Sequence, residues 1–271
     1  MGIAVTVHTS PPSTDLFLSS LPSGTTRVRV WRVWNNQQQR VRGDEQAVVV
    51  SLATVLEDYD VPVGRPVSYW AQCYASDGSE LAPLAETTPV TVSMAVPAEK
   101  EGGQCAWVSD PLAPALSLLL AMTPSDRSRS YDSDTVYAQV MGDEDPIAIS
   151  GIRSSASDWT FGFRAFSFEE SDSIEALVSP GGTILIRPDA GAMRHKTGLI
   201  YLSAPRVQEL PRYDFAYHQD WADWVLAGRQ VRPPSVSVVM PLREYADMEA
   251  ENADYQSVID DYTDYLALLR G

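Results

Sequence analysis

The chain has 271 residues, 44% of them hydrophobic, which is enough apolar material for packed cores and excludes whole-chain disorder. Its 20 basic and 36 acidic residues leave a net charge of −16, which excludes a general nucleic-acid binder because a phosphate backbone repels such a surface. The two cysteines, Cys73 and Cys105, have no metal-ligand spacing and form no disulfide framework, so they read as reduced, buried thiols.

Residues 3 to about 95 read as short strands separated by turns. "IAVTVHT" alternates and "PPSTD" breaks it. "TTRVRVWRVW" alternates again. One of the indoles Trp31 and Trp34 is expected to fill the gap between two sheets. The other, with Arg27, Arg29 and Arg32, is expected on the outer face or an edge, where arginine stems can lie over a ring. "NNQQQ" is a polar turn, "QAVVVSLA" a strand and "EDYD" an acidic turn. "RPVSYWAQCYA" has period two, "SDGSE" closes a hairpin, and "TTPVTVSMAV" ends the set. Strands at this spacing with no helical period between them argue for a β-sandwich over 1–97. "PAEKEGGQCAW" combines charge, Pro and Gly-Gly and reads as a linker over 98–106, with the boundary near 103.

The next region, 107–240, mixes periods. "LAPALSLLLAM" is the longest apolar run and is shorter than the roughly 18 residues needed to cross a bilayer. "TVYAQVMG" and "PIAIS" read as strands. "DWTFGFRAF" puts Trp159, Phe161 and Phe163 on one face. In "SFEESDSIEALVS", Ser167 with Glu170 three residues on is a capping box. Phe168, Ile174, Leu177 and Val178 can share a face of the helix that follows, and "PGG" ends it. "TILIRP" is almost wholly apolar, as expected of a strand buried on both sides. "GLIYLSAPRVQEL" reads as strand, turn, strand. The unit is an α+β arrangement, β-rich with one helix.

Two segments stand out as contact surfaces. "YDFAYHQDWADW" holds Tyr213, Phe215, Tyr217, Trp221 and Trp224 among aspartates. That composition suits core plus loop, a sugar-binding face or a protein hot spot. Of the two functional readings the protein interface is preferred, with Tyr213, Tyr217, Trp221 and Trp224 as its contacts. From 241 to 271 the chain reads as an acidic amphipathic helix. Tyr245, Met248, Asn252, Tyr255, Ile259, Tyr262, Leu266 and Leu269 follow heptad spacing. Between 242 and 271 there are two basic and eight acidic residues, a net of −6. Tyrosine and asparagine in the seam weaken a free-standing coiled coil, so Tyr245, Tyr255, Ile259, Tyr262, Leu266 and Leu269 are expected to dock on another surface, for which a basic groove would suit. The arginine edge of 27–32 and this acidic helix are candidate complementary faces.

Signals for covalent chemistry are missing from the sequence. His8, His195 and His218 form no pair at metal spacing. There is no nucleophile elbow, phosphate-cradling glycine loop or Cys/His couple. In "GDEDP", Asp143 and Asp145 alternate as a cation loop would, but the closing glutamate is missing and a solvated turn is the better reading. The expectation is a non-enzyme with no catalytic residue, metal ligand or cofactor.

Two resemblances sharpen these readings. "DYDVPVGRPVSYWAQCYASDG" is similar to the closing half of a fibronectin type III or related Ig-like domain, with Tyr69 at the place of its corner tyrosine. The chain as a whole resembles the minor tail and distal-tail (baseplate) proteins of long, non-contractile-tailed phages of actinobacteria. The residues that carry this are "VWRVW", "EDYDVPVGRPVSYWAQCY", "AWVSDPLAP", "GGTILIRP", "WADW" ahead of "RPP", and "PLREYADMEAENADYQSVIDDYTDYLALL". The sandwich precedes the tube-like region here, which leaves open whether the chain is the distal-tail ring or a neighbouring component. The resemblance implies a mainly β fold: an Ig/FnIII-like sandwich, a tail-tube-like domain with one helix, and a C-terminal amphipathic helix. It implies a structural virion protein at the tail tip or baseplate, assembled in the host cytoplasm, forming a ring or cap. Its partners would be copies of itself (trimer or hexamer), the tail tube, the tape measure and other baseplate or minor tail proteins. DNA would pass an acidic lumen without specific binding, and no membrane is crossed. The alternative is a virion carbohydrate-binding module that contacts host glycan.

Overall fold

The computed structural model describes residues 2–44, 47–97, 100, 104–114, 116–123, 133, 135–139, 147–150, 159–189, 198–212 and 221–234. The fold is mainly β, with one α-helix among the described residues.

The N-terminal body has two antiparallel sheets. Strands β1 (Gly2–Thr9), β2 (Pro12–Ser19) and β5 (Thr54–Asp58) form one, in the order β1-β2-β5. Strands β3 (Arg27–Trp34), β4 (Gln37–Arg40), β6 (Pro66–Tyr74) and β7 (Val90–Thr91) form the other, in the order β4-β3-β6-β7. The β3–β4 turn is Asn35-Asn36, both in the left-handed region at φ 48° and 57°, which matches the twist of a two-residue hairpin. Alternation in β3 decides what lies inside. Val28, Val30, Arg32 and Trp34 are buried, while Arg27, Arg29, Trp31 and Val33 take the other face. Trp34 is therefore the indole between the sheets, in a core with Leu16, Leu18, Leu56, Val67 and Tyr69. Arg32, expected outside, shares Trp34's parity and is inside.

The second body is a closed six-stranded barrel. Its strands are β8 (Cys105–Ser109), β9 (Ser117–Met122), β12 (Trp159–Ala165), β13 (Thr183–Pro188), β14 (Ile200–Arg212) and β15 (Trp221–Gln230), in the order β12-β15-β14-β13-β8-β9. Closure comes from β9 on β12, where Met122 faces Phe163. Trp159, Phe161 and Phe163 all point inward, and the Trp159 and Phe161 ring centroids are 4.9 Å apart. β10 (Thr135–Ala138) and β11 (Ile147–Ser150) pair only with each other among the described strands.

The helix α1 (Phe168–Val178) is capped by Ser167, whose Oγ accepts the Glu170 N–H at 3.1 Å. The Glu170 carboxylate reaches back one residue further than in a capping box and accepts the Phe166 N–H at 2.8 Å. Ile174 and Leu177 are buried against the barrel and Val178 partly so, but Phe168 is exposed. The residue one turn before Ile174 on the packed face is Ser171, which leaves Phe168 pointing away.

Further expectations change: "QAVVVSLA" forms no strand among its described residues, only a bridge of Val50 to Ala53. β14 is one strand of 13 residues rather than two, because the turn signal "SAP" is a bulge between Ser203 and Arg206. Gly228 lies opposite, and a Cβ there would come within 2.0 Å of the Ser203 carbonyl oxygen. Cys105 and Ala106, expected in the linker, open β8 and are buried. Lys100, also from the expected linker, pairs with Glu170 and donates to the Leu119 carbonyl at 2.7 Å. Residues 98, 99 and 101–103 of the expected linker lie outside the described residues. The sequence-predicted C-terminal helix, 241–271, lies outside the described residues. Cys73 and Cys105 are free and buried.

Candidate functional site

The two tryptophans of the acidic aromatic patch separate by strand parity. Trp224 points into the barrel with Ala222 and Leu226, and its Nε1–H donates to Ser171 Oγ at 2.8 Å. Ser171 Oγ in turn donates to Glu209 at 2.8 Å, tying α1 to β14. Trp224, expected at an interface, is thus a core residue, because position 224 shares the inward parity of β15. Trp221 faces outward, with the Arg164 guanidinium 4.2 Å from its ring centroid and Arg164 Nε bonded to Asp223 at 2.9 Å. The other expected contacts, Tyr213, Tyr217, Tyr245, Tyr255, Ile259, Tyr262, Leu266 and Leu269, lie outside the described residues.

The most concentrated chemistry lies where the two bodies meet. "EDYD", read as an acidic turn, continues the inward parity of β5, so Asp58 is buried and Asp60 follows it. Arg32 donates to both oxygens of Asp58 at 2.7 Å, with each side chain 1% exposed. Tyr69 donates to Asp58 at 3.0 Å and lies 2.8 Å from Thr14 Oγ1. Arg42 pairs with Asp60 and donates to the Pro111 carbonyl at 2.7 Å. Arg187, from β13 of the barrel, is buried and donates to the carbonyls of Pro12 and Tyr59 at 2.6 and 2.7 Å. Leu185, Leu199 and Tyr201, also from the barrel, complete the N-terminal core.

Electrostatics follow from burial. Burial pushes the Arg187 guanidinium down to about 10, against the pull of Asp60, Tyr201 and Asp58. Burial also works to raise Asp60, but Arg42, hydrogen-bonded and charged, and Arg32 beyond it hold its carboxyl below the usual range. Burial, then Asp60, pushes the Tyr201 phenol well up. None of these groups is poised near neutral pH as an acid or base would be. The cluster joins two bodies. Its sequence signal was parity: an arginine inside "TILIRP" and two aspartates, one ending β5 and one two residues on, sit on buried faces.

Two outer surfaces remain, one exposed and one half-buried. On the β10–β11 hairpin, Val136 faces Ile149 and Ala138 faces Ile147, so these four share one face and Tyr137 takes the other. Val136, Tyr137, Ile147 and Ile149 are each more than half exposed. On the outer face of β3 and β6, Trp31 and Trp70 stack at 4.3 Å with an 8° interplanar angle. Arg27 and Arg29 each lie 5.1 Å from the Tyr74 ring centroid. A cleft of about 490 Å³ borders this sheet at β4, lined by Trp34, Gln37, Gln38, Tyr201, Gln230 and Arg232 among others, a size usual for ligand pockets.

No family model matches the chain, and no curated protein matches it. No helix among the described residues is long and apolar enough to cross a membrane.

Proposed function

We propose that this chain is a structural protein of a phage tail tip or baseplate, forming a ring or cap that joins the tail tube to baseplate and receptor-binding components. The observation that carries the reading is the β10–β11 hairpin. Among the described strands it pairs with no other; a two-stranded hairpin by itself is marginal in water, and edges and an apolar face invite pairing. Exposed Val136, Ile147 and Ile149 make sense as a surface covered by a neighbouring subunit. The closed barrel with one packed helix supports the tube-like assignment of 107–240. For the N-terminal body we favour the fibronectin III/Ig-like class: three strands against four, Trp34 between the sheets, and Tyr69 tied by its hydroxyl to Asp58. A net charge of −16 suits a wall that DNA passes without sticking. The function is the fitting of surfaces, with no bond made or broken.

The test is mass spectrometry of purified particles with copy number. The chain should be present in a multiple of three or six, and its absence from particles would remove the reading. A chain carrying Val136→Lys and Ile149→Lys should fold, since both positions are exposed, yet fail to enter particles. Against the carbohydrate alternative stands the burial of Trp224, which leaves Trp221 alone of the patch's two indoles on the outside and partly covered by Arg164.

A further inference from the structure

The outer face of β3 and β6 carries the argument furthest. Register places Arg27 beside Tyr74, Arg29 beside Gln72 and Trp31 beside Trp70 on one face. Arg32, Arg40, Arg42 and Arg164 each meet an aspartate. Arg27 and Arg29 meet only the Tyr74 ring, with no carboxylate in ion-pair range among the described residues. Two unpaired guanidiniums beside a flat Trp–Trp stack are what a protein contact uses for anchoring. On a chain of net charge −16, they are also where an acidic surface is drawn.

The same chain offers such a surface. Helix α1 has no basic residue in its last turn and exposes Glu169, Asp172 and Glu175 at successive steps of three. None of the three carboxylates has an ion-pair partner among the described residues, and no ion pair joins them to Arg27 or Arg29 within the chain. Along β3 the two arginines are about 7 Å apart, and along α1 successive carboxylates rise about 4.5 Å, so two pairs can form side by side.

We infer that copies of this chain associate head to tail, the Arg27/Arg29/Trp31/Trp70 face of one docking on the acidic face of α1 of the next. Such a contact uses two different patches, so it is heterologous and can close into a ring. The inference rests on the ring reading and specifies its lateral contact.

Sedimentation velocity of the full chain tests it. Self-association should appear at about 50 mM salt and fall at about 500 mM, where charges are screened within about 4 Å. The variant Arg27→Glu/Arg29→Glu should self-associate at least about tenfold more weakly, as should Glu169→Lys/Asp172→Lys/Glu175→Lys. An equimolar mixture of the two should associate again, because the reversed charges match. Circular dichroism checks that both remain folded. A wild-type chain that stays monomeric, or a mixture that fails to associate, overturns the inference. So does a wild-type chain that binds only a different acidic tail protein. Particles that still carry the chain in a multiple of three or six after either reversal alone would sink this contact while leaving the tail-tip role standing.

Discussion

The two bodies solve the burial problem in opposite ways. The barrel closes on itself and packs a hydrophobic cluster around Trp159, Phe161 and Phe163, with Ser171 tying Trp224 to the helix at its margin. The N-terminal sheets do not close. Their interior holds Arg32, Asp58, Tyr69 and Thr14, and its end is sealed by Leu185, Leu199 and Tyr201 from the barrel. Shape alone specifies the barrel. The N-terminal body depends on the paired charges at its centre and on the two carbonyls that Arg187 brings together across the junction.

The largest effects should come from breaking each core in its own way. Asp58→Ala leaves Arg32 buried without its carboxylate and should cost about 3–5 kcal/mol, read by chemical denaturation. Phe161→Ala opens a cavity in the barrel and should cost a similar amount, about 3–5 kcal/mol. The comparison sharpens in the rescue. Replacing Arg32 by Met and Asp58 by Leu together should recover most of the loss, because the cost lies in the orphaned charge. No second substitution should refill the barrel cavity so cheaply. If the double variant is as weak as Asp58→Ala, the polar centre is not what distinguishes the bodies.

Arg187→Met should cost less, about 1–3 kcal/mol, by taking the shared donor from the buried Pro12 carbonyl and the part-buried Tyr59 carbonyl. Its signature is in the shape of the melt. Calorimetry of the wild type should show one transition, and the variant should separate into two as the N-terminal body loses its seal. A single transition at lower temperature would mean the bodies are joined by apolar contact alone.

How much of this was legible depended on whether a signal was local. Alternation placed β3 and β12, a continuous apolar run placed "TILIRP", and a cap signal placed α1 at Ser167. The same alternation would have put Arg32 and Trp224 inside, but charge and aromatic composition argued for the surface, and composition is the weaker witness where parity is clear. Barrel closure through β9 on β12 joins residues some forty apart in the chain and leaves no local trace. The continuous β14 was hidden because "SAP" signals a turn, and only Gly228 on the facing strand accommodates the bulge.

Acid should separate the bodies more gently. Asp60 has a folded-state carboxyl below its usual range, so it stabilises when ionised. That contribution is fully present above the unfolded value of about 3.9 and is lost as pH falls through the folded one. Stability measured by urea unfolding should therefore decline below about pH 4, and Asp60→Asn should flatten that decline. An unchanged slope would place the acid sensitivity elsewhere.

The smallest effect tests whether the barrel tolerates local damage. Ser167→Ala removes the acceptor for the Glu170 N–H and should cost about 1 kcal/mol. The loss should stay small because the Glu170 side chain is held independently, by the Phe166 N–H and by Lys100, while Trp224 and Glu209 fix the helix through Ser171. Near-ultraviolet signals from the buried Trp159 should be unchanged, and the melt should shift without broadening. A loss of several kcal/mol would mean that α1 is a keystone of the barrel, and that closure of the strands does not hold this body together by itself.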